Sequence, residues 1–350
     1  MKRERSFISN FKLIVEILIF VLAFSTAYKL IEKKYSDAAS KNVVNAWTKS
    51  RFDEFYALEE YTVDMVFVGS SHSYCTFDPE NFDSVMGTLS WQLGTPLQHY
   101  DTSLYVMKEV YKTQSPKLVV LELYWDMLDD EFEMKQANSF FEVVSEETKE
   151  DYIKNVFPLS EKVKYKLLPI RYQQDYFAYE AAELEERAQE KFGVYKQQAE
   201  TNGEEYYLAK GYTYCDTVIP DSELDETNQY KGFDGSTWEA DETQLEYLGK
   251  FVELCEANGS EVVFVTAPIA NVSMDFIKDY DHVHDELAKT AEDLGVKYLD
   301  FNSVNSKENL LELKNFRDDA HLNDSGVKIV DEYYVNWLRN NTETFGNNND

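Results

Sequence analysis

The sequence has few cysteines, and their number and spacing exclude a fold held together by a full set of disulfides. Its 350 residues include three, Cys75, Cys215 and Cys255, with no CxxC pair among them. An odd number of widely separated cysteines cannot close a complete disulfide framework. A single Cys215–Cys255 bridge stays open as an alternative, while buried free thiols are the preferred interpretation. The sequence also predicts no metal or cofactor site, since the pair His282 and His284 stands two residues apart and does not share a helix face.

Basic residues are also scarce. There are 34 lysines and arginines against 65 acidic residues, which gives a formal net charge of −31. Nucleic acid is excluded as a partner, because a phosphate backbone is bound by clustered Lys and Arg. The same balance argues against a polybasic attachment to an anionic membrane surface. We interpret the acidity mainly as a solubilising surface around a sizeable core, since 43% of the residues are hydrophobic.

The N-terminus carries an apolar run from about Leu13 to Tyr28, between a basic tip and further lysines. We predict that residues 1–34 form a cytoplasmic tip and an uncleaved transmembrane signal anchor. The positive N-terminus would stay in the cytoplasm and place the rest of the chain outside. Cleavage near Ala27, after three small residues, is the alternative and would give a secreted protein.

The remaining chain is predicted to be one interrupted domain. Residues 35–60 are interpreted as a polar helical stalk, 61–340 as the main domain and 341–350 as a polar tail. A helical insertion with little strand signal is expected at about 131–240. Strands are predicted at 64–68, 89–93, 118–123, 262–265 and 296–300, and helices at 102–113, 177–192, 242–257, 274–294 and 325–339.

Apolar strands that alternate with amphipathic helices predict a parallel sheet covered on both faces. The expected fold class is therefore α/β, a flavodoxin-like three-layer sandwich with a helical insertion and an N-terminal transmembrane helix. Ligands in such folds bind beyond the carboxyl ends of the strands.

Two polar motifs lie at that edge. The first, residues 69–72, reads Gly-Ser-Ser-His and directly follows the first strand, where a helix N-terminus offers free backbone N–H groups. The second places Asp318 three residues before His321, ahead of the last helix, so that the carboxylate can orient one ring nitrogen while the other faces a serine. Each motif alone is a weak signal, because serines after a strand are more often helix caps. Together, in this order, they predict an activated serine.

This pair of motifs resembles the SGNH or GDSL hydrolase family. The resemblance implies that Ser71 is the nucleophile and that Asp318 and His321 complete a catalytic triad. It also implies an oxyanion hole formed by the backbone N–H groups of Ser71 and Gly94.

The sequence departs from the family pattern in two places. Ser70 stands where the family usually has Asp, and the family's Asn block after the third strand is missing, since residues 122–126 read Glu-Leu-Tyr-Trp-Asp. The resemblance covers roughly 60–125 and 240–340. Three residues near the expected cleft are candidates for substrate contact, with local packing or capping as the alternative: His72, Trp125 and Asp126.

With its predicted anchor and its missing Asn, the sequence is similar to the membrane-anchored, cell-surface acyltransferase-like branch of the family. That branch includes the teichoic-acid D-alanyl transfer protein and exopolysaccharide acetylation proteins. The resemblance implies an extracytoplasmic serine-dependent O-acyltransferase or esterase that acts on a cell-envelope polysaccharide or polymer. Its expected partners are an acyl donor, a glycan or polymer acceptor and a membrane-bound acyltransferase. A non-catalytic surface binding or assembly module is the alternative.

The net charge affects whether an anionic or a neutral acceptor is expected. A chain at −31 is repelled by an anionic polymer unless local basic groups offset the repulsion. A short basic stretch offers such groups, at Lys162, Lys164, Lys166 and Arg171. A neutral glycan is therefore expected to be at least as suitable an acceptor.

Overall fold

A computed structural model describes residues 2–346 apart from 44–45, 130–131, 133–136, 138–139, 141–142, 173–179, 181, 184–185, 187–204 and 226. The helix predicted at 177–192 lies almost wholly outside these residues. The chain divides into two compact units. The first comprises residues 1–43 and 158–193, and the second comprises 44–157 and 194–350.

The described residues contain the following elements. The strands are β1 Met65–Val68, β2 Ser90–Gln92, β3 Leu118–Glu122, β4 Tyr206–Ala209, β5 Tyr212–Tyr214, β6 Glu261–Thr266 and β7 Lys297–Asp300. The helices are α1 Lys2–Val43, α2 Ala46–Tyr56, α3 Ser71–Tyr74, α4 Pro79–Met86, α5 Tyr100–Val110, α6 Asp126–Asp129, α7 Glu146–Asn155, α8 Leu159–Tyr165, α9 Leu168–Arg171, α10 Glu242–Ala257, α11 Asn271–Met274, α12 Tyr280–Asp293, α13 Phe301–Glu308 and α14 Asp324–Asn341. Single 3₁₀ turns occur at Asp221–Glu223, Gly235–Thr237 and Leu313–Asn315.

The first unit is built around α1. Within residues 11–36 of this helix, an 18-residue window has a mean hydropathy of 2.0, and none of that window is buried within the protein. By length and composition this stretch can serve as a membrane anchor or as a signal sequence. Beyond it, Tyr35 and Ala39 of α1 pack against Leu168 and Tyr172.

The second unit is organised by a five-stranded parallel sheet with the order β2-β1-β3-β6-β7. Every residue of β1 and β3 is buried, as expected for strands covered on both faces. The order is the flavodoxin-like one, so the predicted fold class is confirmed. The strand order reverses at β1, and a cleft is expected beyond the carboxyl ends of β1 and β3.

Helix boundaries follow local capping. Helix α10 has the predicted bounds, because the side chain of Asp241 accepts a hydrogen bond from the Gln244 N–H and Gly259 adopts a positive φ after its end. The helix predicted at 274–294 begins later, as α12 at Tyr280, and the separate short helix α11 ends at Met274. Between them the backbone of Lys278 bonds to Phe233 O and Gly235 N–H, so residue 278 cannot continue a helical hydrogen-bond pattern.

The insertion contains a hairpin that the sequence did not predict. Strands β4 and β5 pair antiparallel through a two-residue turn at Lys210 and Gly211, which have φ of 46° and 90°. Two positive φ values are typical of the tight turns that match strand twist. The Gln92 N–H donates to Lys210 O at 2.9 Å, which ties the turn to the end of β2.

The predicted stalk, residues 35–60, is not uniform. In α2 the side chains of Arg51, Phe52 and Phe55 are about 1% exposed, so this helix is part of the core of the second unit. A polar composition concealed this burial, because a helix needs only a narrow stripe of buried residues to pack.

The three cysteines are free and buried, which excludes the alternative Cys215–Cys255 bridge. Burial raises the pKa of Cys75 and of Cys255 to about 12. Both thiols are therefore protonated and unreactive at neutral pH.

The hairpin turn makes a testable prediction. A Cβ at Gly211 would lie 2.1 Å from Gln92 O, whereas one at Gly232, with almost the same φ, meets nothing within 4 Å. We expect Gly232→Ala to lower the free energy of unfolding by about 1 kcal/mol and Gly211→Ala by about 3 kcal/mol, measured by urea unfolding. Equal losses in the two variants would contradict the close approach of the turn to β2.

Candidate active site

The turn after β1 presents Ser71. Gly69 has φ of 146°, and a Cβ there would lie 2.7 Å from the Cβ of Glu122 on β3, so only glycine fits. Ser70 caps α3 by accepting a hydrogen bond from the His72 N–H. Ser71 is the first residue of α3, a position at which the backbone N–H has no acceptor within the helix.

The loop before α14 brings His321 to this serine. Nε2 of His321 lies 2.9 Å from Ser71 Oγ, and Nδ1 lies 3.0 Å from each carboxylate oxygen of Asp318. Of the three residues predicted as a triad, His321 is thus within hydrogen-bond reach of both Ser71 and Asp318. In this geometry the imidazole can accept the serine proton while the carboxylate fixes its tautomer.

Asp318 is held as a carboxylate. Burial alone would raise the pKa of Asp318, but attraction to His321 and Arg317 and several hydrogen bonds hold it below its usual range. The bonds come from the backbone N–H groups of Ala320 and His321, and Arg317 Nε lies 3.3 Å from Oδ2. The anion is therefore present over the whole neutral range.

A second buried carboxylate supports the serine side. Oε2 of Glu122 accepts hydrogen bonds from the N–H and the hydroxyl of Ser70, at 3.1 and 2.9 Å. Its Oε1 has no hydrogen-bond partner among the described residues. Burial raises the pKa of Glu122 to about 7, partly offset by the two bonds from Ser70. Glu122 thus holds the turn from behind while Ser71 faces His321.

Of the three residues predicted to contact substrate, two are buried. The His72 ring stacks on Tyr124 at 4.0 Å and lies 4.8 Å from the ring of His321. Burial, followed by the nearby His321, lowers the pKa of His72 well below its usual value, so His72 is neutral. Trp125 is packed among aromatic rings, whereas Asp126 is exposed at the start of α6. In this structure His72 and Trp125 pack, and Asp126 faces solvent.

The predicted second oxyanion donor is already engaged. The Gly94 N–H donates to Oε1 of Gln92 at 3.0 Å, and Ser73 Oγ donates to the same oxygen. Gly94 itself lies against the turn after β1, since a Cβ there would be 2.8 Å from Gly69 O. An oxyanion would therefore have to displace Gln92 or share this N–H with it. Nε2 of Gln92 is buried and has no hydrogen-bond partner within the described part of the chain.

Arg51 of α2 holds the Gly94 loop from the other side. Its Nη1 donates to Gly94 O at 2.6 Å, and its Nε and Nη2 donate to Gly211 O at 2.9 and 2.8 Å. The guanidinium lies 4.4 Å from the centre of the Tyr74 ring. One buried cation thus joins α2, the loop after β2 and the insertion hairpin.

The insertion also clamps the loop that bears the histidine. Asp319 accepts hydrogen bonds from the backbone and side chain of Gln229, at 2.6 and 2.5 Å, and its N–H donates to Glu223. On the other side, Ser273 Oγ donates to Asp319 O at 2.7 Å. The loop between Asp318 and His321 is therefore fixed by contacts from both the insertion and α11.

Sequence reasoning did not identify four of these residues: Arg51, Gln92, Glu122 and Arg317. Glu122 had a readable signal, because a single acid ends an otherwise apolar strand, and buried acids are rare without a specific partner. Arg51 had none, since its bonds are made to backbone carbonyls distant in the sequence, and Gln92 had none, since its contacts depend on a side-chain rotamer.

No protein-family model matches this chain, and no curated protein matches it. Fifteen chains of solved structures match it. One is an acetyl xylan esterase (Est2A) from the rumen bacterium Butyrivibrio proteoclasticus, with a TM-score of 0.32 and 8% sequence identity over 81% of this chain. The match spans 65% of that esterase, and at this level of similarity it carries no argument about activity.

Glu122 predicts a pH dependence of stability. Because its pKa is raised in the folded state from an ordinary 4.5 to about 7, the folded protein binds this proton more tightly than the unfolded chain. The stabilisation is present at low pH and is lost as the pH rises through 7. Relative to Glu122→Gln, the native protein should gain up to about 3 kcal/mol of unfolding free energy between pH 8 and pH 5, measured by urea unfolding. The exposed Glu253→Gln serves as control, and a pH-independent difference for Glu122→Gln would disprove the assignment.

Substitution of Arg51 is expected to lower the free energy of unfolding substantially. Arg51→Met leaves the buried carbonyls of Gly94 and Gly211 without donors, which should cost about 3 kcal/mol in unfolding free energy. Lys49→Met on the same helix removes an exposed cation and should cost less than about 0.5 kcal/mol. Similar losses in both variants, measured by urea unfolding, would show that Arg51 does not secure the loop.

Proposed function

We propose that this chain is a membrane-anchored serine-dependent enzyme of the SGNH type, an O-acyltransferase or esterase. The observation that carries the proposal is the hydrogen-bonded series from Ser71 Oγ through both nitrogens of His321 to Asp318. Such a series activates a hydroxyl that is otherwise a weak nucleophile.

In the first half-reaction, Ser71 Oγ attacks the carbonyl carbon of an acyl donor as its proton passes to Nε2 of His321. The imidazolium is stabilised by Asp318, which stays ionised throughout. Collapse of the tetrahedral intermediate breaks the bond to the leaving group, which takes the proton from Nε2. The acyl group is then held as an ester on Ser71.

In the second half-reaction, His321 removes the proton of an incoming hydroxyl, which attacks the acyl-serine. Release of Ser71 Oγ, reprotonated by His321, completes the cycle. A sugar or polyol hydroxyl as the attacking group gives acyl transfer, and water gives hydrolysis. The Ser71 N–H, at the start of α3, supplies one donor to the oxyanion in both halves.

We infer that the acceptor is a cell-envelope polysaccharide or polymer. The long apolar stretch of α1 supports a retained anchor, and its helix continues unbroken through residues 25–27, where Thr26 Oγ1 bonds to Leu22 O. With basic residues at the N-terminus, the second unit would lie outside the cytoplasm. The acyl donor would reach it through a membrane-bound acyltransferase partner. The large acidic excess favours a neutral acceptor over an anionic one.

One observation favours a second candidate, a non-catalytic surface binding or assembly module. The Gly94 N–H is bonded to Gln92, and no Asn follows β3, so the oxyanion has fewer ready donors than the family pattern provides. Loss of one such donor typically costs about 10²–10³ in rate. A hydrogen-bonded Ser71, His321 and Asp318 would have no use in a scaffold, and we therefore place catalysis first.

The proposal is tested by labelling the detergent-solubilised full chain with a fluorophosphonate. The native protein should be labelled at Ser71, and Ser71→Ala should abolish labelling. His321→Ala and Asp318→Asn should lower the labelling rate by about 10³-fold or more, because each removes the activation of the hydroxyl.

Matched controls are available on the same chain. The exposed Ser84→Ala and the half-buried His282→Ala should be labelled at the native rate. Labelling that is absent, or that persists in Ser71→Ala, would favour the binding module. Glycan analysis of cells that lack the protein then separates transferase from esterase, since acyl groups are lost in the first case and accumulate in the second.

A further inference from the structure

A short segment of the first unit has a composition unlike the rest of the chain. Helices α8 and α9, residues 159–171, carry four basic side chains and one acidic side chain, Glu161. The whole chain has about twice as many acids as bases. The basic residues are Lys162, Lys164, Lys166 and Arg171.

The same segment exposes large apolar side chains. Leu159 is 79% exposed, Val163 57% and Ile170 44%. Leu159 and Val163 are four residues apart on α8 and therefore lie on one face of the helix. Basic and apolar side chains interleaved on a short helical segment are typical of elements that lie in a membrane interface, with apolar groups inserted and lysines at the headgroups.

The position of the segment, next to the end of the candidate membrane span, also favours contact with a membrane surface. Leu168 and Tyr172, in and just after α9, pack against Tyr35 and Ala39 of α1. The candidate membrane span of α1 ends at Ser36, and its apolar run ends earlier, at Tyr28. Residues 29–36, which include three lysines, would lie at the depth of the lipid headgroups, and at 1.5 Å per residue Ala39 lies only about 5 Å beyond Ser36.

We propose that residues 159–171 form a membrane-interface element that binds the lipid surface next to the anchor, with a preference for anionic headgroups. The proposal rests on retention of α1 as an anchor, which belongs to the proposed function, but not on the chemistry of Ser71. It also revises the expectation, drawn from net charge, that this chain has no basic attachment to a membrane. The overall charge does not decide the matter, because charges beyond about 10 Å are screened.

A soluble anionic polymer is the competing partner for the four basic residues. Lipid is favoured because a phosphate- or carboxylate-rich polymer would leave Leu159, Val163 and Ile170 in water. An interface buries them and pairs the lysines with headgroups at the same time.

The test uses the full chain in lipid nanodiscs. The native cysteines are buried, so Val163→Cys is labelled selectively with an environment-sensitive fluorophore. Val85→Cys, at a comparably exposed valine of α4 in the second unit, is the matched control.

Nitroxide-bearing lipids should quench the probe at position 163 about threefold more than the probe at position 85, because contact quenching requires the probe to reach the lipid. Phosphatidylglycerol should increase the quenching at 163. Lys162→Gln, Lys164→Gln and Lys166→Gln together should remove that increase.

Each other result contradicts the proposal. Equal quenching at both positions would show that the segment has no preferential contact with lipid. A probe that responds to added polyphosphate but not to nitroxide lipids would assign the basic residues to a soluble polyanion. Failure of the chain to co-elute with the nanodiscs would overturn the anchor and this proposal together, while leaving fluorophosphonate labelling of Ser71 as a separate test of the chemistry.

Discussion

The hydrogen bond between Ser71 and His321 joins two loops 250 residues apart in the chain. Its length varies with the position of either loop, so both must be fixed to within a few tenths of an ångström. Glu122 fixes the serine loop by two bonds to Ser70. Gln229 and Ser273 fix the histidine loop through Asp319. The parallel sheet aligns the two loops at one edge, and these polar contacts set the final distance.

The polar contacts around this edge are mostly buried, and burial of polar groups is unfavourable without full pairing. Glu122 and Gln92 each have an atom without a hydrogen-bond partner among the described residues, and Arg51 is a buried cation bonded to carbonyl oxygens. A sequence selected for stability alone would place apolar residues there. Such local conflicts concentrate at functional sites, where position matters more than stability.

The sequence predicted the strands of the main sheet and four of its long helices, α5, α10, α12 and α14, because apolar strands and capped amphipathic helices have short-range signatures. It also pointed to Ser71, Asp318 and His321 through two local motifs. The hairpin at 206–214, the break at Lys278 and the burial of α2 were not predictable in this way. Each depends on backbone contacts with residues far along the chain. The engagement of Gly94 by Gln92, two residues away, was not predictable for a different reason, since a side-chain rotamer decides it.

The position of Arg51 limits where this protein can be joined to a different N-terminal segment. A guanidinium on α2, the first helix of the second unit, holds the loop that contains Gly94, so α2 is not a dispensable spacer. Exchange of the N-terminal segment between related proteins would have to occur before Ala46 to preserve these contacts. A gene fusion that is to keep these contacts must include α2. The main domain therefore begins some fifteen residues earlier than the polar composition of the region suggests.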